Sequence, residues 1–171
     1  ERPDWIADFA DKDIRDQLEP IVEGDIETLD RVDKAIENFN ERRSSEAVLV
    51  KAQKEFMGWN HKGWEGLGAF DSNERKLAND LLGFKGSIVF PTVAFDQVLA
   101  AKDQSVVLGG VKALNRGMAS FCQDDSRMYG VAYIPFHFGA EVALDYLKDA
   151  IKQGFSVIAI DTIAPHGCKS S

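Results

Sequence analysis

Apolar and polar positions along this chain follow two rhythms, and the change between them falls near residues 66–71. Ahead of it the rhythm is helical. From Thr28 to Arg43 apolar side chains recur at Leu29, Val32, Ala35, Ile36 and Phe39, a three-and-four recurrence that gathers them on one helical stripe. From about Ser45 to Asn60 a similar register continues with Val48, Ala52 and Phe56. Such helices need a surface to pack on, so this part reads as an insertion or lid rather than a domain that stands alone. Residues 58–68 are rich in glycine and tryptophan and predict an irregular loop, with Trp59 and Trp64 covering a neighbouring apolar surface.

After Asp71 helices alternate with short apolar runs. Asp71 and Glu74, three apart, make a capping-box pattern that opens a helix closed by Gly83. Ser87–Phe90 is an apolar run stopped by Pro91, and Met128–Ile134 is another stopped by Pro135; both read as strands. Residues 93–124 are helical and predict two pieces broken at Gly109-Gly110. Ala140–Gln153 carries Val142, Ala143, Tyr146, Leu147, Ala150 and Ile151 on one stripe, with Gly154 as its stop. Phe155–Ile160 predicts a third strand. The order is thus β-α-β-α-β. Strands that are nearly continuous apolar runs are covered on both faces in parallel sheets, and the helices between them supply the crossovers. The pattern predicts an α/β fold, barrel or open doubly wound, with more chain needed to cover its sheet edges.

Charge narrows the partners. Residues 1–71 hold 18 acidic and 10 basic side chains and residues 72–171 hold 10 of each, so the whole net charge of −8 lies in the first part. An acidic chain argues against nucleic acid or an anionic membrane as partner. No apolar run approaches the roughly 20 residues that span a bilayer. Cys122 and Cys168 lack a CxxC or framework spacing and predict thiols in a reducing cytoplasm. The opening Glu1-Arg2-Pro3-Asp4-Trp5 reads as a start in mid-sequence.

Nucleotide motifs are missing: Gly66/Gly68 and Gly109/Gly110 do not follow a strand with dinucleotide-binding spacing, and there is no P-loop. There is no G-x-S-x-G elbow for a nucleophile. The three histidines, His61, His137 and His166, form neither His-x-His nor H-E-x-x-H, so no metal site is predicted within this chain. Position is more telling. Pro91 and Thr92 follow the first strand, His137 the second and His166 the third, while Asp161 ends the third strand itself. In a parallel barrel these strand ends share the active-site rim.

Leu81–Thr92 (LLGFKGSIVFPT), Tyr129–Pro135 (YGVAYIP) and the helix Ala140–Lys152 running into Gly154-Phe155 resemble the amidohydrolase-related family that includes aminocarboxymuconate-semialdehyde decarboxylase-like enzymes. The resemblance covers residues 68–165. It implies part of a (β/α)8 TIM barrel, strands two to four with their helices (68–171), preceded by an N-terminal acidic helical insertion (1–67). The first strand would lie before Glu1 and strands five to eight after Ser171. It further implies a zinc- or manganese-dependent hydrolase, or a decarboxylase of carboxylated aromatic or unsaturated acids. None of that family's metal ligands maps onto a residue here. The expected role of this chain is therefore pocket wall for a small-molecule substrate, from Pro91, Thr92, Phe136, His137, Asp161 and His166, with the catalytic residues unassigned and little activity on its own. A half-barrel would self-associate or be completed by the missing segments. The alternative is a non-catalytic α/β module that binds a partner through its sheet edges and acidic helices.

Overall fold

A computed structural model describes residues 5–22, 26–58 and 65–161. Trp59, His61, Trp64, His166 and Cys168 lie outside the described residues. In chain order the elements are α1 (Trp5–Phe9), α2 (Lys12–Val22), α3 (Ile26–Ser44), α4 (Glu46–Met57), α5 (Ser72–Leu82), β1 (Ser87–Val89), α6 (Val93–Leu99), α7 (Gln104–Cys122), β2 (Met128–Ile134), α8 (Ala140–Lys152) and β3 (Val157–Ile160). A 3-10 turn, Phe136–Phe138, joins β2 to α8. None of these helices is long and apolar enough to cross a membrane.

Local chemistry sets the helix ends. The Ser45 hydroxyl accepts from the Val48 N–H to start α4, and Asp71 Oδ1 accepts from the Glu74 N–H at 2.9 Å to start α5. Gly83 closes α5 at φ 67°, a left-handed turn that suits a residue without Cβ. The helical stretch over 93–124 does break, but at 100–103 instead of at Gly109-Gly110. Asp103 caps a new start there, accepting from the N–H groups of Ser105 and Val106. α7 then runs straight through both glycines. A Cβ on Gly109 would stand 2.7 Å from Ile14, and one on Gly110 2.8 Å from Val98. These glycines let α2 and α6 approach α7 closely, so packing and not chain reversal explains them.

The sheet is parallel, in the order β1-β2-β3. β1 pairs Ser87–Val89 with Met128–Gly130, and β3 pairs Val157–Ile160 with Val131–Ile134. β2 lies in the middle and is buried from Gly130 to Ile134. Its neighbours in the core are α7 and α8, through Val111, Leu114, Ala143 and Ala150, together with Ile6, Ile14 and Leu18 from α1 and α2. Each fully buried valine, leucine or isoleucine among these contributes about 1.5–3 kcal/mol.

The expected part-barrel is overturned. Helix takes up 65% of the described residues, against strands of three, seven and four residues. Among the described residues the chain is mainly helical, with one small parallel sheet. Two physical reasons account for the difference. First, α1 and α2, which no pattern had singled out, fill the core beside α7, so helices take up the apolar surface that barrel strands would have covered. Second, the outer strands are not buried on both faces: Ile88 of β1 is 58% exposed and Ile160 of β3 is 56% exposed.

β1 also stops short. Beyond Gly130, where its pairing ends, the β2 backbone is met by a side chain. Asn115 of α7 donates Nδ2–H to the Tyr133 carbonyl and accepts the Tyr133 N–H on Oδ1, both at 2.9 Å. One amide side chain makes the two bonds a neighbouring strand would make.

Candidate acid–base site

The carboxyl ends of parallel strands lie at one end of their sheet, and here β2 and β3 finish side by side, Ile134 in register with Ile160. Pro135 has no N–H and ends β2. The 3-10 turn that follows carries His137, and Gly139 at φ 104° redirects the chain into α8. Asp161 is the residue immediately after β3. Tyr133 is paired with Ala159, and alternation places Asp161, two residues on, on the same face as Tyr133.

These three side chains meet at one oxygen. The Tyr133 hydroxyl donates to Asp161 Oδ2 at 2.6 Å, and His137 Nδ1 lies 2.5 Å from the same Oδ2. The His137 and Asp161 side chains are 20% and 12% exposed. Asp161 Oδ1 is buried without a hydrogen-bond partner. Burial by itself would raise the Asp161 carboxyl, but the hydrogen bonds from Tyr133 and His137, with the imidazole charge, hold it below its ordinary value. An ionised carboxylate only accepts, so Nδ1 is the donor of this bond, and the tautomer with an uncharged ring has its lone pair on Nε2. Tyr133 is pushed the other way: burial first, then its bond to Asp161, raise its phenol well above the ordinary tyrosine value, so it remains a donor. Phe95 of α6 packs edge-on against the Tyr133 ring at 4.7 Å, and Phe138 lies 4.0 Å from the His137 ring.

An imidazole oriented by a buried carboxylate is equipped to take and return a proton. It is not equipped to hold a metal. His137 has committed Nδ1 to Asp161, and Asp161 Oδ1 is sealed beneath surrounding atoms, which leaves one nitrogen where a catalytic zinc takes three protein ligands. Among the described residues no group of three or more His, Cys, Asp or Glu side chains converges. A zinc or manganese centre does not fit these residues.

The structure brings together His137 and Asp161 of the residues singled out by sequence. Phe136 is exposed at the start of the same turn. Pro91 is half-buried after β1, and Thr92 is exposed at the start of α6. Thr92 faces a different cavity of about 650 Å³, lined also by Phe9, Phe70, Arg75, Phe90 and Phe121, which neither His137 nor Asp161 lines. His166 lies outside the described residues. Tyr133 was missed because a tyrosine inside an apolar strand reads as packing; the signal for it was the hydroxyl, which needs a partner when buried.

Comparison with protein-family models, with curated proteins and with solved structures finds no match to this chain.

Proposed function

We propose that this chain carries the proton-transfer machinery of an enzyme acting on a small molecule, with His137 as general acid–base and Asp161 as the group that orients it. The observation that carries the reading is the 2.5 Å contact between His137 Nδ1 and Asp161 Oδ2 at the shared carboxyl ends of β2 and β3. Ligands of parallel α/β sheets bind outside those strand ends. The reaction class, hydrolysis or decarboxylation, rests on the resemblance of residues 81–92 and 129–135 to amidohydrolase-related enzymes. Zinc or manganese belongs to that resemblance, and no step here runs through it. The lack of a CxxC or framework spacing at Cys122 and Cys168 supports a reducing cytoplasm as its place.

The test is a panel of activated esters, amides and unsaturated or aromatic carboxylic acids, followed by product release with and without added Zn²⁺ or Mn²⁺. Turnover of any member should fall about 10²–10⁴-fold in His137→Gln. Turnover unchanged in His137→Gln, or absent with every substrate, refutes the reading.

A second reading, a non-catalytic module that binds a protein partner, is favoured by one observation: Ile88 and Tyr129, paired across β1 and β2, stand exposed on one face of the sheet, with Phe90 exposed just beyond β1. It predicts a folded protein that is inert towards the whole panel.

A further inference from the structure

We infer that Tyr133 is a positioning residue of the acid–base pair: by donating to the carboxylate oxygen that His137 uses, it fixes the Asp161 rotamer and lowers the charge the imidazole meets. The inference rests on the acid–base reading of His137 and adds its regulation by a third residue.

Packing alone does not require this hydroxyl. Tyr133 is 1% exposed, and its ring is already seated against Phe95. A phenylalanine would fill the same space without burying an O–H, which is costly unless bonded. The hydroxyl instead ends 2.6 Å from Asp161 Oδ2. Its origin is rigid, because Asn115 holds both backbone polar groups of Tyr133 from α7 while β3 pairs along the other edge of β2. A fixed phenol therefore meets a carboxylate at the end of a strand, and the carboxylate in turn meets a ring on a short turn.

Sharing one oxygen has a defined consequence. Two donors divide the negative charge of Oδ2, so each is held less tightly than it would be alone. Removing the phenol would leave the imidazole as sole donor to Oδ2, so the negative charge it meets there would rise. Tyr133 thus tempers the carboxylate that His137 uses. Asp161 is the charged group within ion-pair reach of His137 among the described residues. Glu141, exposed in the first turn of α8, is the next acid along the chain.

The test is an NMR titration of the His137 ring protons in the full chain, the resonances assigned by their loss in His137→Gln. Asp161→Asn should lower the midpoint, and Tyr133→Phe should raise it by about 0.5 pH unit or more. A lowered midpoint in Asp161→Asn with no rise in Tyr133→Phe leaves the pair standing and overturns the role of Tyr133. No change in Asp161→Asn removes the pair itself, and the inference with it. A second measurement needs no altered Tyr133. In wild-type protein labelled with [ζ-¹³C]tyrosine, the Tyr133 resonance should shift in step with His137 and lose that shift in Asp161→Asn. A Tyr133 signal indifferent to the His137 titration overturns the proposal even where Tyr133→Phe does not fold.

Discussion

Glu74 and Asp161 are both carboxylates drawn into the interior, and their surroundings treat them differently. Glu74 is fully satisfied. Its Oε1 accepts from Arg42 Nε at 2.7 Å, and its Oε2 accepts from Arg42 Nη2 at 2.8 Å and from the Gly68 N–H at 3.2 Å. Gly68 closes the arrangement from the other side, its carbonyl accepting from Arg75 Nε at 2.6 Å. Only glycine fits there: φ is 75°, and a Cβ would stand 2.5 Å from the Arg75 backbone. The result is a closed clasp that ties α3 to α5. Asp161 receives two side-chain donors on one oxygen and none on the other. A carboxylate with both oxygens bonded holds structure together, whereas one that is overloaded on one side and deprived on the other is suited to chemistry.

The comparison can be broken at its structural end first. Arg42→Met keeps most of the side-chain volume but strands a buried carboxylate, and should cost about 3–5 kcal/mol by urea denaturation. A loss below about 1 kcal/mol would show that the clasp is no more than a surface ion pair. At the other end, Asn115→Leu leaves the Tyr133 N–H and C=O without partners while keeping an apolar side chain on α7. It should cost about 2–4 kcal/mol in the same assay, since each orphaned buried group carries about 1–3 kcal/mol. Unchanged stability there would mean that water or another group replaces the amide.

The smallest effect is in acid. The Asp161 carboxyl is held below its ordinary value in the folded chain, so its contribution is fully present above about pH 4 and is lost as pH falls through the folded value. Wild type should therefore lose more stability than Asp161→Asn between about pH 4 and pH 2. Parallel acid profiles for the two proteins would show that the cluster adds nothing to folding.

Much of the helical framework was legible because its signals are local. The stripe from Leu29 to Phe39 marks α3, Asp71 marks the start of α5, and Val142 to Ile151 marks α8. The capping box was legible only in half. Asp71 does cap, but the Glu74 carboxylate goes to Arg42, thirty-two residues away in sequence, a partner that periodicity does not reveal. Gly109-Gly110 misled for a related reason: a glycine inside a helix gives the same signal whether it ends the helix or admits a neighbour. The barrel was read from apolar runs, whose composition does not show which face is covered. Ile88 and Val89 are alike in sequence and opposite in burial. The placement of His137 and Asp161 at one end of the sheet was legible because both follow strands that run in parallel. Their convergence with Tyr133 depends on β2–β3 register, a long-range property.

The amide of Asn115 has a consequence for how this end of the molecule breathes. β1 is bound over three residues only, and of its side chains only Val89 is buried, so it is the strand expected to peel away first. Its departure would expose the Tyr129 end of β2 to deuterium, yet Tyr133 would keep its N–H engaged, because the group gripping it belongs to a buried helix. Fraying that starts at one margin of the sheet therefore halts before it reaches the residues that handle protons.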